Sequence, residues 1–228
     1  MISPRLLLLG SLVEKGSRVA DVGTDHGYLP IYLRQNGLAV FCVATDLREG
    51  PLSSAKANLT EAAVSGVETR LCDGLAAVSP DEVDTVVMAG MGGETIIHIL
   101  SEAPWVQDKT KTLLLQPMSA ADDLRRYLAE TGFETLAEPC VEDGGRVYAV
   151  MKVRFGANPR TLTEAEALSG KIDPTADTAS KRYLDGVIRA LNRQIQSLSA
   201  SPRMADRKAE IEKIAAELSA RREETHAL

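Results

Sequence analysis

Three cysteines in 228 residues are too few for a disulfide framework. Cys42, Cys72 and Cys140 lie far apart, form no CxxC pair and leave one over after any pairing. That argues against a bridged secreted scaffold and against a zinc site, and it fits reduced thiols in a cytoplasmic protein without a metal. Long apolar runs are scarce as well. The stretch LLLLGSLV (Leu6 to Val13) is far too short to span a bilayer, so no membrane role is expected. Read as a signal-peptide core, it would place cleavage near Ala20, inside the strand that precedes the first glycine loop. Ser3 and Pro4 instead suit the cap and first turn of a helix. Positive charge is also in short supply: 26 Lys and Arg face 32 Asp and Glu, a net charge of −6, which does not suit a surface basic all over.

A smaller absence says more. After the apolar Val19 and Ala20 the chain reads DVGTDHGYLP, and from Gly23 this gives G-T-D-H-G-Y where a dinucleotide fingerprint needs G-x-G-x-x-G. The second glycine of that fingerprint lets backbone approach a pyrophosphate, and a carboxylate in its place repels one. A ligand with positive centres and no phosphate tolerates an acidic turn. S-adenosylmethionine (SAM), with its sulfonium and ammonium, is such a ligand.

What is present is an alternation of strand-length apolar runs and helical segments over the first 155 residues. SRVADVG, AVFCVATD, ETRLCDG, VDTVVMAG and KTLLLQPM read as parallel strands covered on both faces. The segments 29–36, 52–65, 94–100 and 120–131 read as the crossover helices between them, which implies a doubly wound α/β sheet. FETLAEPCVE and RVYAVMKVRF follow, joined by the turn Asp143-Gly144-Gly145, and read as one hairpin. A hairpin after five β/α units separates the methyltransferase version of this architecture from the all-parallel dinucleotide-binding version.

Four strand ends carry candidate ligand contacts. The first holds Asp21, Gly23, Thr24, Asp25, His26 and Gly27. Asp46, 25 residues after Asp21 and followed by Leu47, is placed to accept from ribose hydroxyls. Cys72-Asp73-Gly74 ends the third strand, where a carboxylate suits an adenine amino group, although an isolated Asp-Gly is also an ordinary turn. Ala89-Gly90-Met91 ends the fourth. Asp21 serves the cofactor or braces the loop, and His26 contacts the cofactor or braces the turn. Tyr28 either stacks on an extruded base or has a core or helix-packing role. His98 reads as structural, and neither Trp105 nor His226 has neighbours that suggest chemistry.

In order and spacing, DVGTDHGYLPIYL, TDLREGPLSSA, MAGMGGETIIHIL and LLLQPMSAADDLRRYL resemble the TrmK family, the bacterial tRNA (adenine-N1)-methyltransferases that modify adenine 22. The resemblance implies a class I, Rossmann-like SAM-dependent fold with a C-terminal coiled-coil appendage, and tRNA as partner. It also implies that Arg5 and the Gln116-Pro117 turn belong to the site. Met118 stands where many members carry asparagine, and Ala149 where a glutamate usually follows the hairpin tyrosine. Adenine N1 has a free lone pair and needs no base. A carboxylate that accepts from the adenine amino group gains value as the ring becomes cationic, which makes Asp25 the candidate catalytic residue. The alternative is that Asp25 only binds the SAM ammonium.

Beyond Phe155 the texture changes, which divides the chain into a catalytic domain (1–155) and an appendage (156–228). Residues 1–155 carry 14 basic and 21 acidic side chains, whereas 156–228 carry 12 and 11, so the appendage is the better surface for a polyanion. Leu184, Ile188, Leu191, Ile195 and Leu198 form one helical seam; Met204, Ile211, Ile214 and Leu218 form another beyond a Ser201-Pro202 turn. The two read as an antiparallel hairpin. Arg182, Arg189 and Arg193 share a face and, with Lys181, Arg203, Arg207 and Lys208, suit either RNA phosphates or plain solvent. The combined reading is a monomeric, cytoplasmic SAM-dependent methyltransferase acting on adenine N1 in tRNA. Its rivals are a small-molecule methyltransferase and a non-catalytic nucleic-acid-binding module with a degenerate SAM pocket.

Overall fold

The computed structural model describes residues 2–199 and 204–223. The expected Ser201-Pro202 turn, Arg203 and His226 lie outside the described residues. Helix α1 (Pro4–Leu12) opens the chain, and the Ser3 side chain accepts from the Leu6 amide as its cap. Strands β1 (Ser17–Val22), β2 (Ala39–Asp46), β3 (Val67–Leu71), β4 (Thr85–Met91) and β5 (Thr112–Pro117) follow. They alternate with helices α2 (Tyr28–Gln35), α3 (Glu49–Glu61), α4 (Gly93–Glu102) and α5 (Ala121–Glu130).

The final hairpin differs from the single one expected. It breaks at Glu138-Pro139 and at Val150 into two pairs. β6 (Phe133–Ala137) and β9 (Met151–Phe155) run antiparallel in the main sheet, while β7 (Cys140–Asp143) and β8 (Arg146–Ala149) form a separate ribbon. Pro139 has no N–H to continue a ladder. Its carbonyl accepts from the Val150 amide at 2.9 Å, pinning the base of the ribbon. The ribbon therefore rises past the sheet's edge.

The sheet order is β3-β2-β1-β4-β5-β9-β6, with β9 antiparallel to both its neighbours. Side chains alternate between two cores. Val86, Met88, Leu113 and Leu115 pack with Ile96 and Leu100 of α4 and Leu124 and Leu128 of α5. Val87 and Leu114 point the other way, to Leu9 of α1 and Leu29 and Leu33 of α2. Because β1 lies between β2 and β4 while the chain leaves it in one direction and returns on the other side, the crevice for a ligand opens at the carboxyl ends of β1 and β4.

The C-terminal part adds α6 (Glu164–Ser169), which the sequence reading left out, then α7 (Thr178–Leu198) and α8 (Ala205–Glu223). Arg222 near the end of α8 pairs with Asp185 near the start of α7 at 2.9 Å, so the two helices are antiparallel. Leu191, Ile211, Ile214, Ala215 and Leu218 are buried together with Ala165 of α6. Met204, expected in this seam, is exposed.

A buried polar joint holds these helices to the sheet. Arg125 of α5 is 4% exposed and donates to Glu138, to the carbonyls of Ala167 and Leu168, and to the Tyr183 hydroxyl. Glu138 spends its second oxygen on the Lys171 amide. Every charge in the joint has a partner, as burial in a low dielectric requires.

Candidate active site

The first strand end is a braced loop. The amides of Gly23 and Thr24 both donate to the Thr45 carbonyl, at 2.8 and 2.9 Å, tying the loop to β2. Gly27, at φ +70°, reverses the chain into α2 so close to α3 that an added Cβ would lie 3.2 Å from Ala55. The Asn58 amide nitrogen of α3 donates to the His26 carbonyl at 2.9 Å. None of this bracing uses the His26 ring or the Asp25 carboxylate.

Those two side chains face outward together. Asp25 Oδ2 lies 3.3 Å from His26 Nε2, with the two side chains 72% and 43% exposed. The His26 ring stacks on Tyr28, centroids 5.3 Å apart. Tyr28 is 46% exposed, so it is not a core residue.

Asp21 is the reverse case. Its carboxyl is buried at the end of β1, with the Thr24 side chain as hydrogen-bond partner, and burial pushes its pKa up to about 6. A cation placed against it would restore the ionised form.

Asp46 ends β2 largely buried, and its Oδ1 accepts from the Arg48 amide at 2.8 Å, while Oδ2 has no hydrogen-bond partner among the described residues. Leu47 beside it is an exposed apolar side chain. The third strand end is tied to the second: the Cys72 amide donates to the Asp46 carbonyl and the Thr45 hydroxyl to the Gly74 carbonyl. Gly74 is left-handed at φ +52°, and Asp73 beside it is exposed at the same edge.

At the fourth, the β4–β5 register slips between Ala89 and Met91, so Gly90 is a bulge at φ +79°. Its amide is fixed by Gln116 Oε1 at 3.2 Å. Gln116 is fully buried and uses its whole amide internally: Oε1 also accepts from Arg5, and Nε2 donates to the Pro117 carbonyl. Gln116 and Pro117 are thus a buried brace, and the turn presents Met118 and Ser119 at the edge.

Three contributors escaped the sequence reading. Asp143 on the ribbon accepts from Arg5 Nε at 2.9 Å, and that guanidinium holds its pKa below the usual carboxylate range. Tyr148 on the same ribbon lies under the Arg5 guanidinium, 4.9 Å from carbon to ring centroid. Asn58 is the third. No local spacing marks them, because each acts across a long stretch of chain. Of the basic face on α7, Arg182 pairs with Glu142 of the ribbon, while Arg189 and Arg193 are exposed without an acidic partner among the described residues. Arg207 and Lys208 pair within α8, with Glu210 and Glu212. The described residues hold no group of three or more His, Cys, Asp or Glu placed for a metal, and no helix long and apolar enough to cross a membrane.

A sheet of this order, with carboxylates at three neighbouring strand ends and a glycine bulge at the fourth, defines a class I methyltransferase. The methyltransferase-domain family matches residues 2–151. A Bacillus subtilis tRNA (adenine(22)-N(1))-methyltransferase is 32% identical over 156 residues, covering 68% of this chain and 66% of that protein. A crystal structure of Streptococcus pneumoniae Sp1610, described as a putative tRNA (m1A22) methyltransferase, superimposes with a TM-score of 0.86 at 29% identity, over 96% and 99% of the two chains. Its complex with S-adenosyl-L-methionine gives 0.80 at 31% identity, over 94% and 100%. The chain belongs to the TrmK family of class I methyltransferases, and the Streptococcus pneumoniae relative is seen with S-adenosyl-L-methionine bound.

The residues fit that group. The buried Asp21 carboxyl suits a cationic methionine end, Asp46 offers Oδ2 to a ribose diol, and an added Cβ at Gly23 would lie 2.8 Å from Met91 Cε across the cleft.

Proposed function

We propose that this protein transfers a methyl group from SAM to N1 of adenine 22 in tRNA. The observation that carries the reading is the single carboxyl edge on which Asp21, Asp46, Asp73 and the Gly90 bulge meet, with Asp25, Tyr28 and Arg5 exposed or half-buried around it. Likeness to the m1A22 relatives sets the substrate.

When bound, SAM supplies an electrophilic methyl. The protein's part is orientation and charge. Asp21 holds the cationic end of the cofactor, and Asp46 holds the ribose. Asp73 receives the adenine amino group of the cofactor, and Gly90 and Met91 keep backbone close to it. Asp25 accepts a hydrogen bond from the target adenine's amino group, which becomes a stronger donor as N1 is alkylated, so the contact favours the transition state over the ground state. Its exposed side chain at the loop's tip suits a group that meets the substrate rather than the buried end of the cofactor. Tyr28, stacked with His26, offers a face to a base drawn out of its helix.

Residues 156–228 form the tRNA-docking appendage in this reading, with Arg189 and Arg193, which have no acidic partner among the described residues, meeting the phosphate backbone. The protein works as a single copy in the cytoplasm. A small-molecule methyltransferase would leave that basic face without a task. Mass spectrometry of nucleosides from unmodified tRNA incubated with protein and SAM tests the reading, which expects 1-methyladenosine; no methylated nucleoside would sink it.

A further inference from the structure

The ribbon β7–β8 touches the candidate site with one residue and the docking helix with the residue before it. Asp143 holds Arg5, and Glu142 pairs with Arg182 of α7. The ribbon is also packed onto α7: Cys140 and Ala149 are buried with Ile172, against Ala179 and Tyr183 of that helix.

Arg5 itself is anchored on one side only. Its Nε donates to Asp143, its Nη1 to Gln116 Oε1 at 3.1 Å and toward Met118 Sδ at 3.3 Å, and its plane lies over Tyr148. Among the described residues Nη2 has no hydrogen-bond partner, and the side chain is 28% exposed. A guanidinium fixed through two nitrogens and a ring face, with the third nitrogen reached by solvent and unpartnered among the described residues, is prepared for an oxygen of an incoming ligand. For a nucleic acid that oxygen is a phosphate beside the target base.

We propose that Asp143 and Tyr148 are positioning residues that aim Arg5 at a phosphate flanking the target adenine. In the same proposal the Glu142–Arg182 pair joins this ribbon to α7, so that docking of the hairpin sets the placement of Arg5. This rests on the reading of the protein as a tRNA methyltransferase. Arg182 then acts as a joint inside the protein, unlike Arg189 and Arg193, which meet RNA directly.

The distinction is measurable with the full-length protein, SAM and transcribed tRNA. Glu142→Gln keeps the side chain's shape, and Arg182→Gln shortens it and removes its charge, at a half-exposed pair that contributes little to stability. If the pair is a joint, each lowers the single-turnover rate at saturating tRNA by about tenfold, as expected for a small misplacement of a positioned group. The double variant is no worse than either single one. SAM affinity and the salt slope of tRNA binding stay at wild-type values. Asp143→Asn lowers the same rate, and Asp143→Glu restores part of it.

The contrary result is equally clear. If Arg182→Gln weakens tRNA binding and flattens the salt slope by about one unit while Glu142→Gln tightens binding, Arg182 is a phosphate contact that Glu142 merely competes for. Unchanged rates in the Asp143→Asn variant would overturn the positioning role. Wild-type protein that binds SAM and leaves tRNA unmodified overturns the functional reading and this proposal with it; an active wild type with unaffected variants overturns this proposal alone.

Discussion

Gly93 begins α4 directly against Ala120, so that a Cβ on Gly93 would lie 2.2 Å from the Ala120 carbonyl oxygen. Gly93 donates its amide to the Ser119 carbonyl at 2.8 Å, and Ala120 takes a left-handed φ of 51° to make this approach. The contact locks the turn after β4 to the turn after β5. Gly93→Ala should therefore lower stability in urea denaturation by roughly 1–3 kcal/mol, the usual cost of overpacking, and weaken SAM binding. Gly90→Ala has no atom to meet within 4 Å and only its φ of +79° to strain. Its cost should stay nearer ~1 kcal/mol. Equal stabilities for wild type and Gly93→Ala would mean that the two turns are not locked.

Asp21 makes the protein's stability and its SAM affinity depend on pH. Its pKa rises from 3.8 to about 6 on burial, so folding favours the protonated form. The associated stability is fully present below pH ~4 and is lost as pH rises through ~6, amounting to about 3 kcal/mol for a shift of this size. Asp21→Asn removes that loss: without SAM, the variant should melt higher than wild type at pH 7.5, and the gap should close at pH 4. The cationic end of SAM needs the ionised carboxylate, so wild-type affinity should fall as pH drops below ~6. Calorimetry across pH 5–8 checks this, and a flat profile would place the cofactor's ammonium elsewhere.

Asp25 and Asp46 should fail in different ways. Asp46→Ala takes the ribose partner away, at ~1.5–3 kcal/mol for each charge-assisted hydrogen bond, and SAM binding should fall below detection in a folded protein. Asp25→Asn should leave SAM affinity near wild type while single-turnover methyl transfer drops by ~100-fold or more. Parallel loss of affinity and rate in Asp25→Asn would assign that residue to the cofactor.

Much of this was legible before the structure. Continuous apolar strands such as LLL at 113–115 can only be satisfied between two helical layers, and the structure shows those residues facing alternate cores. The strand-end motifs were readable because a turn's chemistry is local. What stayed hidden acts over distance. Arg5 and Asp143 are 138 residues apart in sequence, and their pairing depends on Pro139 and Val150 splitting one apparent hairpin into two. Gln116, which its family resemblance pointed to as a site residue, is one that serves from beneath: burial turns its amide inward to Gly90 and Arg5. Arg182, Arg189 and Arg193 share a helical face in sequence, but only the ribbon's position reveals that the first is already engaged.

The remaining pair of that face carries a prediction about docking. Arg189 and Arg193 are exposed and have no acidic partner among the described residues. Replacing both with alanine should leave SAM binding unchanged and flatten the slope of log tRNA affinity against log salt by roughly two units, because two fewer counterions are released. A solvated face would leave the slope as it was.

Site-specific methylation tests the central claim most directly. Unmodified tRNA bearing adenine 22, and the same transcript with guanine at that position, are incubated with the protein and SAM, digested to fragments and read by mass spectrometry. The account predicts one added methyl group, found as 1-methyladenosine in the fragment containing position 22, and none in the guanine-22 transcript. Methylation at another position or atom, equal methylation of both transcripts, or none in either would contradict it.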